Sequence, residues 1–207
     1  MDIGPEIMDI FLHVGCGKSR KPHTTTGFNT NEWTELRLDI SETVKPDIVN
    51  SITDMHSVKS GSVKALFSSH NIEHLYAHDV QIALAEFQRV ISDDGFAVIT
   101  CPDLQSICRL IAEDKLNEPA YNSSVGPIAP IDILYGYRPA LSKGALHMAH
   151  RCGFTKKVLT EHLYEAGFKM VEVISREYPN FDLWAVASVN IIDQEDFDAL
   201  VLAHFPK

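Results

Sequence analysis

The chain has 207 residues, of which 45% are hydrophobic and 22% are charged, a composition typical of a globular protein with one core. Its formal net charge of -10 argues against a partner with a phosphate backbone, so we expect no nucleic-acid binding. The N-terminus lacks a basic segment followed by an apolar run, no stretch has membrane length, and the four cysteines lack CxxC spacing. We therefore expect a cytoplasmic protein with reduced thiols and no membrane partner.

The first predicted strand covers residues 10–14 and ends at Gly15 and Gly17, which flank Cys16. Because glycine has no Cβ, its backbone N–H can turn toward a ligand and allow a close approach. A strand that ends in Gly-x-Gly near the chain start is typical of the nucleotide-binding edge of an open α/β sheet. We interpret Cys16 as a small buried residue rather than a nucleophile.

The segment after the glycines, residues 18–33, is rich in Thr, Asn, Pro and Gly. These residues are poor helix formers, so we predict that the first helix is shortened or absent. Residues 35–40 alternate like a second strand that ends near Asp39. A carboxylate at this position can accept hydrogen bonds from both hydroxyls of a ribose, and the alternative is an ordinary surface aspartate.

Strands and helices alternate in the middle of the chain, which implies right-handed crossovers and a parallel sheet. The pattern predicts a strand at 46–50, a strand at 63–68, a helix at 80–91, a turn at 92–95 and a strand at 96–101.

The C-terminal half begins with a predicted helix at 104–115 and continues into an irregular, proline-containing stretch at 117–151. So long a loop is usually a lid or a binding segment, and we expect it to be an insertion within one domain covering residues 1–207. A helix at 155–166 follows. Two strands then come at 169–176 and 182–190, and their connection is too short for a crossover helix, so they are predicted to be antiparallel. A helix at 193–204 ends the pattern.

Four sequence blocks lie in order along most of the chain, at residues 12–17, 69–75, 86–91 with 102–104, and 147–150 with 153–155 and 166–168. Together they resemble the class I S-adenosylmethionine-dependent methyltransferases, and in particular the small predicted methyltransferases with a Gly-Cys-Gly first motif. The resemblance implies an α/β, Rossmann-like methyltransferase fold. Its seven-stranded, mostly parallel sheet would have the order 3-2-1-4-5-7-6, with the last strand antiparallel.

The resemblance also implies S-adenosylmethionine as cofactor and assigns residues to it. The glycine turn would contact the methionine part, Asp39 the ribose, the loop after strand three the adenine, and the end of strand four the sulfonium. The implied cofactor residues are Gly15, Cys16, Gly17, Asp39, Ser51, Ile52, Asp54, Met55, Ser69 and His70. The chain departs from the family in having a hydroxyl at Ser51 where a carboxylate is usual, and in lacking a third glycine after Gly17.

Methyl transfer is an in-line displacement that requires alignment and sometimes a base. The base candidates are His70, Glu73, His74, His147 and His150, with His147 and then His70 as the predicted catalytic residues. Tyr121, Tyr135 and Tyr137 either line an acceptor pocket or pack a lid. His70, His74 and His78 have helical spacing that would place three imidazoles on one face, but the family motif already accounts for this block, so we predict no metal site.

The sequence thus predicts an S-adenosylmethionine-dependent methyltransferase with an unidentified, small-molecule or sugar-like acceptor. One alternative is a methyltransferase-like binding module without turnover, suggested by Ser51 and the missing first helix. An NAD-dependent dehydrogenase fits less well, because no third glycine follows Gly17 and the last strand is reversed. The sequence leaves the oligomeric state open.

Overall fold

A twisted seven-stranded sheet organises the computed structural model, which describes residues 8–123 and 125–206. The strands of this sheet are β1 (Asp9–Val14), β2 (Trp33–Asp39), β3 (Ile48–Val49), β4 (Val63–Ser69), β5 (Ile91–Pro102), β8 (Met170–Arg176) and β9 (Asp182–Ser188). Their order is β3-β2-β1-β4-β5-β9-β8. A separate hairpin pairs β6 (Tyr121–Ser123) with β7 (Gly126–Ile128).

The residues that the structure describes form six α-helices beside the strands. They are α1 (Ala77–Val90), α2 (Leu104–Ala112), α3 (Pro130–Tyr135), α4 (Arg138–Leu141), α5 (Lys156–Glu165) and α6 (Gln194–His204). Short 3-10 helices occur at Lys21–His23, Glu42–Val44, Ile72–His74 and Leu146–Met148. No helix in the described parts of the chain is both long enough and apolar enough to cross a membrane.

The predicted fold is confirmed. Counted without the hairpin, the strands have the order 3-2-1-4-5-7-6, and β9 alone runs against its neighbours β5 and β8. The first helix is replaced by a single 3-10 turn, as the sequence predicts. Thr155 caps α5 by accepting the N–H of Val158, and Gly167 follows the helix with a φ of +108°.

Two predictions of local structure were wrong. The predicted turn at 92–95 lies within β5, where it forms a bulge between the pairs Val63–Ile91 and Ala65–Phe96. Gly95 is required there, since a Cβ would stand 2.3 Å from the carbonyl oxygen of Lys64. The stretch at 117–151 is not irregular, because it contains the β6–β7 hairpin, α3, α4 and a 3-10 helix.

An aromatic cluster on one face of the sheet anchors the segment that replaces the first helix. The ring of Phe28 stacks on Phe11 at a centroid distance of 4.4 Å and lies 4.3 Å from the ring of His204 in α6. The hydroxyl of Thr25 is hydrogen-bonded to Nδ1 of His204 at 2.7 Å. The N–H of Gly27 also donates to the carbonyl oxygen of Ala203, so α6 holds this segment by both backbone and side chain.

Burial of His204 predicts a pH-dependent stability. Burial lowers the pKa of this imidazole to about 4, whereas the pKa of a histidine in an unfolded chain is about 6.5. The unfolded state alone takes up a proton between these values, so the free energy of unfolding decreases as the pH falls from about 6.5 to about 4. Between pH 6.5 and pH 5 the loss is expected to be about 2 kcal/mol larger in the wild type than in His204→Gln. Urea denaturation at several pH values measures this difference, and equal pH dependence in the two proteins would contradict the assignment.

Candidate functional site

The glycine turn at the end of β1 is held from two sides. Gly15 and Gly17 have φ values of +56° and +52°, a conformation that glycine adopts without strain. The N–H of Gly17 donates to Oδ2 of Asp39 at 2.8 Å. The carbonyl oxygen of Gly17 accepts from Nη2 of Arg37 at 2.6 Å. The turn is therefore fixed in place by two side chains of β2.

Asp39 is the last residue of β2 and is 9% exposed. Its Oδ1 atom accepts the N–H of Ser41 at 2.8 Å, and its Oδ2 atom accepts the N–H of Gly17. A carboxylate offers about four lone-pair sites, so each oxygen keeps one for a ligand hydroxyl.

Arg37 was not identified as a site residue from the sequence. Its side chain is almost fully buried, and Nη1 donates to the carbonyl oxygen of Lys45 at 2.8 Å. The sequence feature that could have identified Arg37 is a charged residue in the interior of a predicted strand.

The space around the turn differs at its two glycines. A Cβ added to Gly17 would meet no atom within 4 Å, so this side of the turn is open. A Cβ added to Gly15 would lie 2.4 Å from the side-chain amide of Asn71, so that amide occupies the other side. The Nδ2 atom of Asn71 is buried without a hydrogen-bond partner. The large apolar side chain of Ile40, directly after Asp39, is 68% exposed. An open turn, a carboxylate with free lone pairs and an exposed apolar side chain fit a nucleoside.

The residues predicted to contact adenine fall into a polar pair and a buried apolar pair. The Ser51 hydroxyl is 2.7 Å from the hydroxyl of Thr53, and the exposed Asp54 side chain contacts His56. The side chains of Ile52 and Met55 belong to the hydrophobic core, and Met55 is completely buried. Contact of Ile52 and Met55 with the cofactor stays a prediction, and their side chains pack in the core.

The end of β4 places Ser69 and His70 beside β5. The Ser69 hydroxyl is 2.9 Å from the hydroxyl of Thr100, and the N–H of His70 donates to the carbonyl oxygen of Thr100. His70 has a φ of +48°, an uncommon conformation for a residue with a Cβ. This backbone conformation brings the half-exposed imidazole to the cavity described next.

Two adjoining cavities lie beyond the ends of β4 and β5, with volumes of about 210 and 160 Å³. Glu73, Pro102, Ile133 and His150 line both of them. The segment at 117–151 covers the cavities, and its α3 packs against α2. Tyr135 lines the larger cavity, and Tyr121 and Tyr137 line the smaller one, so the three tyrosines contribute to the walls.

A group of one carboxylate and three imidazoles, the His–Glu cluster, lines the smaller cavity and consists of His70, Glu73, His74 and His150. Glu73 is 1% exposed, and its Oε1 atom is 3.4 Å from Nδ1 of His70. Burial opposes ionisation of Glu73, but its interaction with His70 outweighs this effect and lowers the pKa of the carboxyl. Burial lowers the pKa of His150.

Two histidines named from the sequence lie outside this cluster. His147 is exposed on the 3-10 helix Leu146–Met148 and lines neither cavity, so His150 takes the place expected for it. His78 stacks on Tyr76, and its side chain is 78% exposed. His70, His74 and His78 do not share one helix face, because α1 begins only at Ala77.

Cys16 is buried at 3% exposure between the two glycines. Burial raises the pKa of its thiol to about 11, so the thiolate that a nucleophile requires is scarce at neutral pH. The structure agrees with the interpretation of Cys16 as a small buried residue.

Comparisons with known proteins agree with the observed fold. Residues 12–99 match the family described as "Methyltransferase domain". No curated relative matches the sequence. A possible histamine N-methyltransferase of Thermotoga maritima is 13% identical with a TM-score of 0.53, and the match covers 88% of this chain and 82% of that one. A Methanosarcina mazei S-adenosylmethionine-dependent methyltransferase is 12% identical with a TM-score of 0.57, covering 89% and 94%.

A third solved structure contains ligands. It is the 1,6-didemethyltoxoflavin-N1-methyltransferase of Burkholderia thailandensis, with bound 1,6-didemethyltoxoflavin and S-adenosylhomocysteine. It is 13% identical with a TM-score of 0.54, and the match covers 87% of this chain and 70% of that one. At these identities the three structures establish a shared fold.

Proposed function

We propose that the chain is a class I methyltransferase that uses S-adenosylmethionine to methylate a small-molecule acceptor, an interpretation supported by the match of residues 12–99 to a methyltransferase domain. The observation that carries this proposal is the glycine turn, which is fixed by Asp39 and Arg37 and open at Gly17. The covered cavities beyond β4 lie at the same edge of the sheet. Their volumes of about 210 and 160 Å³ suit a small acceptor.

The roles proposed for the cofactor residues follow from their positions. Asp39 would accept hydrogen bonds from the ribose hydroxyls with its remaining lone pairs. The open side of Gly17 would face the methionine part, and Ile40 would cover the adenine. Ser51, Ile52, Asp54 and Met55 stay predicted contacts at the adenine loop, with the side chains of Ile52 and Met55 buried. When bound, the cofactor supplies a methyl group on a sulfonium. The neutral thioether that remains after in-line displacement is a good leaving group.

The residues beyond β4 would hold the acceptor. The attacking atom of the acceptor forms the new bond to the methyl carbon as the carbon–sulfur bond breaks, so alignment is the main requirement. His70 lines the cavity next to the end of β4 and is the candidate to accept a proton from the acceptor. The segment at 117–151 would act as the lid that excludes water. The narrower resemblance to methyltransferases with a Gly-Cys-Gly first motif stays a prediction.

Titration calorimetry with S-adenosylhomocysteine tests this function directly. We expect saturable binding of one molecule per chain and a rise in the temperature of unfolding, because the ligand binds only the folded state. Mass spectrometry of small molecules that survive purification provides an independent test and can identify the acceptor class. The absence of both heat and thermal shift at millimolar ligand would contradict the proposal.

A further inference from the structure

We propose that Glu73, His74 and His150 form a binding site for one divalent transition-metal ion in the covered cavity. The proposal goes beyond methyl transfer, because the glycine turn and Asp39 take no part in it. A possible ligand atom from each of the three residues lies within 4.8 Å of those of the other two. Within residues 8–123 and 125–206, no other group of three potential ligands has this spacing.

The carboxylate of Glu73 is the first argument. Its side chain is 1% exposed, and neither Oε1 nor Oε2 has a hydrogen-bond partner. A buried carboxylate without hydrogen bonds is costly, and in proteins such groups are paired with a cation or coordinate a metal. The imidazole of His70 contacts this carboxylate, with Nδ1 at 3.4 Å from Oε1, but its side chain is half exposed and is charged only when protonated. That contact leaves Oε2 unpaired.

The orientation of the two imidazoles is the second argument. Nδ1 of His150 lies 2.6 Å from the carbonyl oxygen of Ile133, and Nδ1 of His74 lies 3.2 Å from the carbonyl oxygen of Ala149. A carbonyl oxygen can only accept, so Nδ1 carries the proton in both rings, and in the neutral form of each ring Nε2 has a free lone pair. Histidines that bind metals are commonly held in this way, with the second ring nitrogen donating to a backbone carbonyl.

The backbone brings the three ligands together from two distant parts of the chain. Glu73 and His74 belong to the 3-10 helix Ile72–His74, and His150 lies near the end of the segment at 117–151. The N–H of Arg151 donates to the carbonyl oxygen of Glu73 at 2.8 Å, which ties the two parts together. The rings of His74 and His150 have a centroid distance of 5.0 Å. This packing makes the group a built site rather than a chance cluster on the surface.

The ligand set indicates which ion the site would prefer. Imidazole nitrogen and carboxylate oxygen suit zinc, iron, cobalt and manganese, whereas calcium and magnesium prefer oxygen alone. Bond lengths of about 2.1 Å place the ligands of one ion at most about 4 Å apart, so the side chains need to approach by on the order of 1 Å or less. Three protein ligands leave coordination positions open toward the cavity.

The experiment uses the full chain, freed of metal with a chelator and titrated with Zn²⁺ and, separately, Co²⁺ and Mn²⁺. We expect one Zn²⁺ per chain by calorimetry and elemental analysis, and a visible absorption band of coordinated Co²⁺. Glu73→Gln and His150→Ala should weaken Zn²⁺ binding by about 100-fold or more, because each removes one of three ligands. His78→Ala is the matched control, since it removes an exposed imidazole from the same region of the chain. Its affinity should equal that of the wild type.

Each outcome decides the proposal. Absence of stoichiometric Zn²⁺ binding to the wild type overturns it and leaves His70 as the only counter-ion of Glu73. Equal loss of affinity in His78→Ala, or no loss in the ligand variants, also overturns it. If Glu73→Gln does not fold, His74→Ala and His150→Ala decide the question, because both side chains are partly exposed. Binding of S-adenosylhomocysteine is measured separately in metal-free buffer, so failure of the metal site and failure of the proposed methyltransferase are distinguished.

Discussion

Asp39→Ala is expected to weaken the binding of S-adenosylhomocysteine by about 100-fold or more. A hydrogen bond to a charged group contributes about 1.5–3 kcal/mol, and the proposed ribose contacts include two of them. The same carboxylate holds the N–H of Gly17, so its removal also loosens the turn that would carry the methionine part. Isothermal titration calorimetry of the wild type and the variant measures the ratio of dissociation constants.

Asp47→Ala is the control for this experiment. Asp47 also holds a backbone N–H of the same region, because its Oδ2 atom accepts from the N–H of Arg37 at 2.8 Å. Its loss should leave the affinity for S-adenosylhomocysteine roughly unchanged, since Asp39 and Gly17 stay in place. Circular dichroism at the titration temperature establishes that both variants are folded. An Asp39→Ala protein that is folded and binds as tightly as the wild type would refute the ribose role and favour the alternative of a methyltransferase-like binding module without turnover.

The sheet, the glycine turn and the position of Asp39 could be predicted from the sequence, because the sequence patterns that indicate them are local. The apolar run before Gly15 and the alternation before Asp39 each lie within a few residues, and parallel topology places both ends at one edge of the sheet. Arg37 was missed because a charged residue within a strand is normally assigned to solvent. In the structure it is buried, and its Nη1 and Nη2 atoms donate to the carbonyl oxygens of Lys45 and Gly17.

The errors arose where tertiary contacts override local preference. The turn residues at 92–95 are incorporated into β5 as a bulge, because Ile91 pairs with Val63 and Phe96 with Ala65 on either side of them. His147 and His150 were both base candidates because they border the irregular segment, and His147 was placed first. The two are only three residues apart, and the hydrogen bond of His150 to Ile133 decides which of them faces the cavity. No periodicity in a single sequence encodes that contact.

The metal ligands illustrate the same limit. Helical spacing suggested His70, His74 and His78 as a group, but a 3-10 helix and an extended Tyr76 interrupt the helix before α1 begins. His150 instead approaches Glu73 from a distant part of the chain, through the segment that covers the cavity. Convergence of this kind depends on how that segment folds onto the sheet, which the sequence pattern left undetermined.

Phe28→Ala is expected to lower the free energy of unfolding by about 3–5 kcal/mol, the range for truncating a buried aromatic residue. Phe28 is fully buried, and its ring contacts Phe11, Trp33 and His204 at centroid distances of 4.4, 5.1 and 4.3 Å. It is the main anchor of the segment that takes the place of the first helix, so its loss leaves a cavity and frees the chain after the glycine turn. Urea denaturation followed by circular dichroism measures the change.

Leu202→Ala in α6, where the side chain is 72% exposed, is the control and should change stability by about 0.5 kcal/mol or less. A loss below about 1 kcal/mol in Phe28→Ala would mean that this segment is not held by the aromatic cluster, and that the turn beside it is fixed by Asp39 and Arg37 alone.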